Sequence, residues 1–472
     1  MALLGVFALS GVMMSSWLAR IPSVRDALDL TAADLGVVLL AGAVGALATV
    51  TAAGPFVTRF GGRVAFAVSA VLFGAAFLLL GLGPATGSVA LLAAGIFLNG
   101  MAFALGNVPM NVESAGIERR VGRTILPQFH AAFSVGAVLG SLVGAACAHA
   151  EVPVFVQFVA TGAVAMTLRL AAIPVTVHDT AVDRTSGGTR APSAVESLGD
   201  AVVDVETAGL RARLARRGAR LGAALSAWRE PRTLLIGLVI LSAALSEGSA
   251  NDWLALAVVD GFAQTEAVGA VVFGAFVAAM TVMRLAGTRL LDRFGRVVVL
   301  RASGIASIAG LLLFGFAPTL ALAGVGVVLW GFGAALAVPV GIAAASDEPL
   351  RAAARVSVVS AFSSMAALAA PPLLGLAAEA MGARHALVLI VGAMVLSVLL
   401  ARQVAPLRPS AAPAPRGTGE DGTVPDDAPC APAADTPARG SRRRLVVRRP
   451  RSTTSPARRP AGRPTHRQET SA

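Results

Sequence analysis

The hydrophobic positions of this chain form long, unbroken runs. A transmembrane helix needs about 20 consecutive apolar residues to cross the hydrocarbon core of a bilayer. Runs of about that length occur at residues 2–19, 33–53, 64–83, 88–111, 127–149, 154–177, 233–250, 267–287, 298–317, 320–343, 354–378 and 384–403. The pattern predicts an all-α polytopic membrane protein of twelve transmembrane helices, in two pseudo-symmetric six-helix bundles over residues 1–177 and 233–403.

The charges in the short loops predict how these helices are oriented. Arginines gather in the loops after runs two, four, eight and ten, whereas the loops after runs three and nine carry no charge. Cytoplasmic loops are enriched in Lys and Arg, so both termini and the central loop are predicted to lie on the cytoplasmic side of a bacterial inner membrane. Arg20 and Arg25 are an exception on the outer side. They are accompanied there by Asp26, Asp29 and Asp34.

Two polar segments lie outside the bundles. Residues 178–232 form a linker, and the pattern of its residues from about 208 to 228 predicts a basic amphipathic helix. Such a helix rests on the inner headgroups, and a regulatory partner site is the alternative. Residues 404–472 are rich in Arg, Pro and Ala without periodicity, which predicts a disordered cytoplasmic tail able to contact anionic lipid.

The composition supports the membrane prediction. The chain is 56% hydrophobic and only 14% charged, whereas soluble domains carry about 25% charged residues. Its net charge of +12 lies in loops and in the tail, which disfavours nucleic-acid binding. Cys147 and Cys430 suggest neither a disulfide framework nor a metal site, and no cofactor is expected. The first run, Met1–Trp17, is interpreted as a spanning helix and not as a signal peptide.

The two halves of the chain carry related motifs in the same order. SSWLA around Trp17 matches NDWLA around Trp253, and RFGGR from Arg59 matches RFGR from Arg293. Further matches join Val-Pro at 108–109 with 338–339 and Ala-Phe-Ser at 132–134 with 361–363. A duplicated six-helix unit would leave this pattern. In secondary transporters built from such repeats, the solute site lies between the halves near the bilayer midplane.

Besides the repeat, the chain contains the stretches ARIPSVRDALDL, GNVPMN…ERR…R…FHAAFS and EGSANDW. On the repeat and these stretches, residues 1–403 resemble the major facilitator superfamily, and within it the fucose-permease-like branch of proton-linked permeases. The resemblance implies a cytoplasmic gating motif whose Arg and Asp charges hold neighbouring helix ends together. Its members would be Gly54, Arg59, Gly61 and Arg63 in the first copy and Asp292, Arg293, Gly295 and Arg296 in the second. Thr58 stands where the first copy should carry an aspartate.

The repeat also distinguishes polar residues that occur in one half alone. They are, with their counterparts, Asn107 (Ala337), Asn111 (Gly341), His130 (Val359), Glu247 (Gly11) and Asp252 (Ser16). Ionisable and polar groups at membrane depth are costly and commonly functional. An asymmetric polar group on a symmetric scaffold is therefore the better site candidate.

Several of these candidates allow two interpretations. Glu247 is either an unpaired carboxylate that exchanges a proton with the outside or a carboxyl that forms hydrogen bonds at a helix break. His130 could carry protons, because its ordinary pKa is near neutral, or could act as a structural donor. Asp252, beside Trp253, reads as a helix end at the outer interface. Pro371-Pro372 should kink run eleven.

The remaining candidates have structural alternatives as well. Asn107 and Asn111 share one helical face and either hold a polar substrate or join helices. Glu113 is predicted at the edge of a solvated loop. Trp17 could stack on a substrate or belong to the aromatic belt. Arg20 could attract an anion or anchor a headgroup.

These observations predict a monomeric secondary active transporter that moves a small polar or amphipathic solute by alternating access. Protons are the expected coupling ion, through Glu247 or His130. A drug or metabolite efflux pump and a non-transporting membrane sensor are the alternatives. Enzymatic activity is not expected, because no metal-ligand spacing and no G-x-S-x-G motif occurs.

Overall fold

The computed structural model describes residues 1–122, 125–177 and 226–406, and these ranges fold into helices. The first half contains α1 Ala2–Leu18, α2 Ile21–Ala27, α3 Ala32–Phe60, α4 Gly62–Thr86, α5 Val89–Val121, α6 Leu126–His149 and α7 Val154–Thr176. The second half contains α8 Pro231–Phe262, α9 Glu266–Phe316, α10 Leu320–Ala334, α11 Ala337–Ala345, α12 Pro349–Met381, α13 Ala383–Ala386 and α14 Ile390–Leu400. The tail and nearly all of the predicted amphipathic helix at 208–228 lie outside the described residues.

The described helices account for the twelve predicted runs. Ten helical segments are long and apolar enough to cross a membrane, and α1 with α2 forms one further span bent by 41°. Helix α9 has 51 residues, or about 75 Å at 1.5 Å per residue, against about 30 Å of hydrocarbon. Gly295 has non-helical backbone angles within it. Helix α9 therefore holds runs eight and nine, one on either side of Gly295.

Two helix ends differ from the sequence-based expectation. Helix α5 continues to Val121, and Glu113 within it is only 6% exposed. The prediction that Glu113 sits at a solvated loop edge is wrong, because the helix continues past it. Helix α8 likewise continues to Phe262, well beyond the end of run seven at residue 250.

The repeated gating motif has the same backbone in both halves. Gly61 (φ 89°, ψ 160°) and Gly295 (φ 77°, ψ 162°) both adopt a positive φ that favours glycine. In each copy an arginine lies over the ring of the phenylalanine that follows it, at 5.3 Å for Arg59 and 5.4 Å for Arg293. The structure thus supports the repeat inferred from sequence at this turn.

Charges beside this turn join helix ends of the second half. Arg296 Nη1 donates to Asp347 at 2.7 Å, and Arg232 Nη2 donates to the same carboxylate at 2.9 Å. Arg296 thus joins helix ends through Asp347, whereas Asp292 is exposed, and the gating role of this motif stays a prediction. In the first half, Arg63 Nε donates to the Val177 carbonyl at 2.9 Å.

The two halves pack together along α3 with α12 and along α6 with α9. The α3–α12 contact is backbone to backbone, because a Cβ at Gly36 would lie 2.4 Å from the carbonyl oxygen of Pro371. A Cβ at Gly375 would lie 2.6 Å from the carbonyl oxygen of Ala32. Helix α12 is continuous through its two prolines, which lie beside this inter-half contact, and the bend expected at them stays a prediction.

Candidate functional site

A cavity of about 370 Å³, called here the central cavity, lies between the two halves. It is lined by Phe7, Ser10, Met14, Phe73, Phe103, Gly106, Asn107, Met110, Asn111, His130, Phe133, Arg169 and Glu247. Helices α1, α4, α5, α6 and α7 supply the first-half residues, and α8 supplies Glu247. The structure therefore brings four of the asymmetric polar residues around one space.

The asparagines of α5 lie on the accessible side of this cavity. Asn107 and Asn111 are both exposed and lie one helical turn apart, as their spacing predicts. Asn111 Nδ2 donates to the Asn107 carbonyl at 2.9 Å, so this amide bonds within its own helix. The arrangement leaves the Asn107 side chain and the Asn111 amide oxygen facing accessible space.

Glu247 is held in an ion pair by a residue that sequence analysis did not single out. Arg284 Nη2 of α9 donates to both carboxylate oxygens of Glu247, at 3.0 Å each. Arg284 Nε also donates to the Ala335 carbonyl at 3.4 Å. Glu247 is therefore not the unpaired carboxylate that was expected, and α8 has no break around it, whereas a role of Glu247 in proton exchange stays a prediction. A lone basic residue within run eight was the available signal.

His130 lies at the boundary between the halves. Its ring is exposed and meets the Phe7 ring edge-on, with centroids 6.0 Å apart. Arg284 of the second half is close enough for the two charges to interact. His130 thus belongs to the electrostatic environment of the Glu247–Arg284 pair.

Arg169 of α7 is the second functional candidate that sequence analysis missed. It is 1% exposed, and its Nη1 donates to Ser10 Oγ at 2.8 Å. The guanidinium lies over two rings, 4.5 Å from the centroid of Phe66 and 4.8 Å from that of Phe73. Within the described ranges no carboxylate forms an ion pair with it. Its signal was again a single arginine within an apolar run.

A second cavity of about 310 Å³ is lined by two further candidates, Trp17 and Asp252. It shares Met14 and Phe103 with the central cavity, so the two spaces adjoin along the inter-half boundary. Trp17 is 5% exposed and faces this space. The interpretation of Asp252 as a helix end is wrong, because α8 continues to Phe262.

The end of the bundle that carries Arg20, called here the Arg20 end, is closed by polar contacts between the halves. Arg20 pairs with Glu266 of α9 at 3.0 Å and donates to Gln157 Oε1 at 2.6 Å. Ser23 donates to the same glutamate from its backbone N–H at 3.0 Å and from Oγ at 2.5 Å. Arg20 is 4% exposed, so it is neither a headgroup anchor nor a free anion attractor.

A second set of contacts reinforces this closure. Arg25 forms an ion pair with Asp260 of α8, and the Ala33 N–H donates to Glu379 of α12 at 3.3 Å. At the opposite end, called the Arg63 end, ion pairs of the described residues join helices of the second half. The pairs of Arg20 and Arg25 cross between the halves at the Arg20 end.

The described residues contain no group of three His, Cys, Asp or Glu side chains placed to hold a metal ion. What they offer is a solvent-accessible polar cavity between two repeats, one ion pair on its second-half side and one buried cation on its first-half side. This arrangement can bind a small polar solute and can change its charge state through the Glu247 carboxylate or the His130 ring.

Comparison with known proteins gives a consistent result. The sequence matches the model of the Major Facilitator Superfamily over residues 2–354 and again over 236–460. The uncharacterized transporter y4wD of Sinorhizobium fredii is 30% identical over 375 residues, 79% of this chain and 89% of that protein. The nucleoside transporter NupG has the same fold, with a TM-score of 0.65 at 14% identity over 85% of this chain and 98% of NupG. The E. coli fucose:proton symporter FucP aligns with a TM-score of 0.52 at 14% identity, over 86% and 100% of the two chains.

Proposed function

The chain belongs to the major facilitator superfamily and is a multi-pass membrane transporter, and on that premise we propose that it carries a small polar solute by proton-coupled alternating access. The observation that carries the proposal is the composition of the central cavity. Asn107, Asn111 and His130 enter it from the first half, and Glu247 enters it from the second. A solute bound there contacts both bundles, so its binding can depend on how the bundles are arranged.

The distribution of ion pairs supports alternating access. Arg20 with Glu266 and Arg25 with Asp260 hold the halves together at the Arg20 end. For a solute to leave or enter there, these pairs must separate and new contacts must form at the Arg63 end. By the positive-inside rule the Arg63 end faces the cytoplasm, so this conformation is closed towards the outside of a bacterial inner membrane.

The Glu247–Arg284 pair is the proposed coupling element. Adding a proton to Glu247 converts the carboxylate to a neutral carboxyl and leaves Arg284 without its counter-charge. The free energy of that pair then depends on proton binding, and the arrangement of α8 relative to α9 depends on the pair. Because Arg284 is close enough to His130 for their charges to interact across the boundary, a proton on either group would change the electrostatic interaction between the halves. The fucose:proton symporter of the same fold supports protons as the coupling ion.

A transport assay in proteoliposomes tests this proposal. A panel of sugars, organic acids and cationic drugs is offered as labelled solutes, with and without an imposed pH gradient and with a protonophore as control. A solute that accumulates only while the gradient is maintained is the expected result. Accumulation that ignores the gradient contradicts proton coupling, and gradient-driven extrusion of a drug identifies the efflux alternative.

A further inference from the structure

The central cavity has an unbalanced positive charge. Its ionisable lining residues are Arg169, Glu247 and His130. The charge of Glu247 is balanced by Arg284, which donates to both of its carboxylate oxygens. No carboxylate of the described residues pairs with Arg169. With His130 neutral, one positive charge of the lining therefore has no counter-charge.

The surroundings of Arg169 strengthen the electrostatic interaction between its charge and a solute bound in the cavity. Burial and two phenylalanine rings remove water from the guanidinium, and charges interact more strongly in such surroundings than in water. A guanidinium carries five N–H donors, yet among the described residues only Ser10 and Ser69 accept from it, and Ser69 does so at 3.4 Å. The Nε donor of Arg169 has no hydrogen-bond partner within the described ranges.

The backbone of α5 approaches the guanidinium group closely at this point of the cavity wall. A Cβ at Gly106 would lie 2.9 Å from Arg169 Nη2 and 2.4 Å from Ser69 Oγ. Gly106, Ser10 and Arg169 all line the cavity. Glycine at position 106 therefore leaves the guanidinium group its place beside the solute space.

A burial this costly calls for a compensating charge. A cation–π contact offsets a part of the cost, but it leaves the net charge of the cavity unchanged. A solute with one negative charge would make the cavity neutral, and guanidinium recognises planar carboxylates in particular.

We propose that the transported solute is a small organic carboxylate, and that Arg169 with Ser10 and Gly106 forms the subsite for its negative group. The inference rests on the proposed transport function and names its substrate class. Carried together with one proton, such a solute would cross the membrane without net charge movement.

Equilibrium binding tests the subsite without any gradient. The purified full-length chain is compared by thermal shift against three acid–amide pairs of matched shape: lactate and lactamide, nicotinate and nicotinamide, glucuronate and glucuronamide. The expected result is that at least one acid raises the melting temperature by several degrees while its amide does not. Arg169→Gln should then lower the affinity for that acid at least tenfold, and Arg169→Lys should lower this affinity less.

Arg384→Gln is the matched control for loss of an aromatic-packed arginine. Arg384 lies 4.1 Å over the Phe262 ring and donates to carbonyls of Phe314 and Ala317, away from the central cavity. This variant should lose stability and keep acid binding. If Arg169→Gln fails to fold, Gly106→Ala takes its place, since it crowds the guanidinium while keeping the charge, and it should also weaken the acid.

The proposal is overturned if the amides protect as well as the acids, if no acid protects, or if Arg169→Gln retains the acid affinity. Its failure can be told apart from failure of the transport proposal. Acid-specific binding without gradient-driven uptake would support the carboxylate subsite and contradict proton-coupled transport. Gradient-driven uptake of a neutral solute would support proton-coupled transport and contradict the carboxylate subsite.

Discussion

Arg284 Nη2 lies 3.0 Å from each carboxylate oxygen of Glu247 and so joins α8 to α9 beside the central cavity. The Arg284 side chain is 32% exposed and that of Glu247 is 26% exposed, so the pair is neither dry nor fully solvated. A partly exposed pair is accessible to a proton, which a sealed pair would not be. Arg284 is also close enough to His130 of the other half for their charges to interact, so the pair lies near the inter-half boundary.

Removing the Arg20–Glu266 pair should open the Arg20 end. Both side chains are largely buried, at 5% and 15% exposure, and breaking one partner of a buried pair costs about 3–5 kcal/mol. Glu266→Gln should therefore raise the population open at this end, and a cysteine placed at Asn251 in the second cavity should react with a maleimide at least tenfold faster. Labelling is measured in a background free of Cys147 and Cys430.

The control for this experiment is Asp26→Asn. Asp26 also pairs with Arg25, but it lies in the same half and its side chain is 61% exposed. It should leave the labelling rate within twofold of the parent. Equal acceleration by both variants would show that the closure does not depend on contacts between the halves.

The thermal stability of the second half should fall in acid. Burial raises the pKa of Asp347, but hydrogen bonds from Arg296 and Arg232 outweigh this and hold its pKa below the usual value. The hydrogen bond from Arg355 likewise lowers the pKa of Glu230. A carboxylate with a folded-state pKa below its unfolded value stabilises the fold above the unfolded pKa, near 4, and loses this as pH falls through the folded pKa.

Melting temperatures between pH 7 and pH 3 measure this dependence. The parent should be flat above about pH 5 and decline below it, and Asp347→Asn should be less stable at pH 7 with a shallower decline. Asp292→Asn, at an exposed position of the same motif, should follow the parent. An Asp347→Asn curve parallel to the parent would exclude a role of this clamp in the acid response.

Substitution of the turn glycine should destabilise the first bundle. Gly61 has φ 89°, and alanine in such a conformation costs about 1 kcal/mol or more. Gly61→Ala should lower the melting temperature in detergent. Gly324→Ala is the comparison, because Gly324 lies within α10 with open space around its Cα, and alanine there should be neutral or stabilising by up to about 1 kcal/mol. Similar melting temperatures for the two variants would argue against a strained turn.

The fold was largely readable from sequence because helices in lipid must satisfy their own backbone, so long apolar runs translate directly into spans. The repeat was readable at RFGGR and RFGR for a similar reason, since both turns need a glycine with positive φ. Asn107, Asn111, His130 and Glu247 were found because each is polar in one copy alone.

The partners of these residues could not be predicted from the sequence. Which arginine meets Glu247 depends on how α8 and α9 face each other, and nothing in the local sequence of either helix specifies that. Arg169 and Arg284 each carried a signal, a single charge within a long apolar run, but the comparison of the two halves did not include them. Helix ends were misjudged where polar side chains such as Glu113 and Asp252 lie inside a helix that continues past them.

Proton movement that accompanies solute entry tests the central claim most directly. Proteoliposomes are loaded with a pH-sensitive dye, and the lumen is followed after addition of the solute identified by accumulation. The parent should acidify the lumen in proportion to the solute taken up. Glu247→Gln should abolish that signal and accumulation while retaining exchange of labelled for unlabelled solute. Solute-driven acidification of parental strength in Glu247→Gln would contradict the account, as would solute accumulation in the parent without any proton signal.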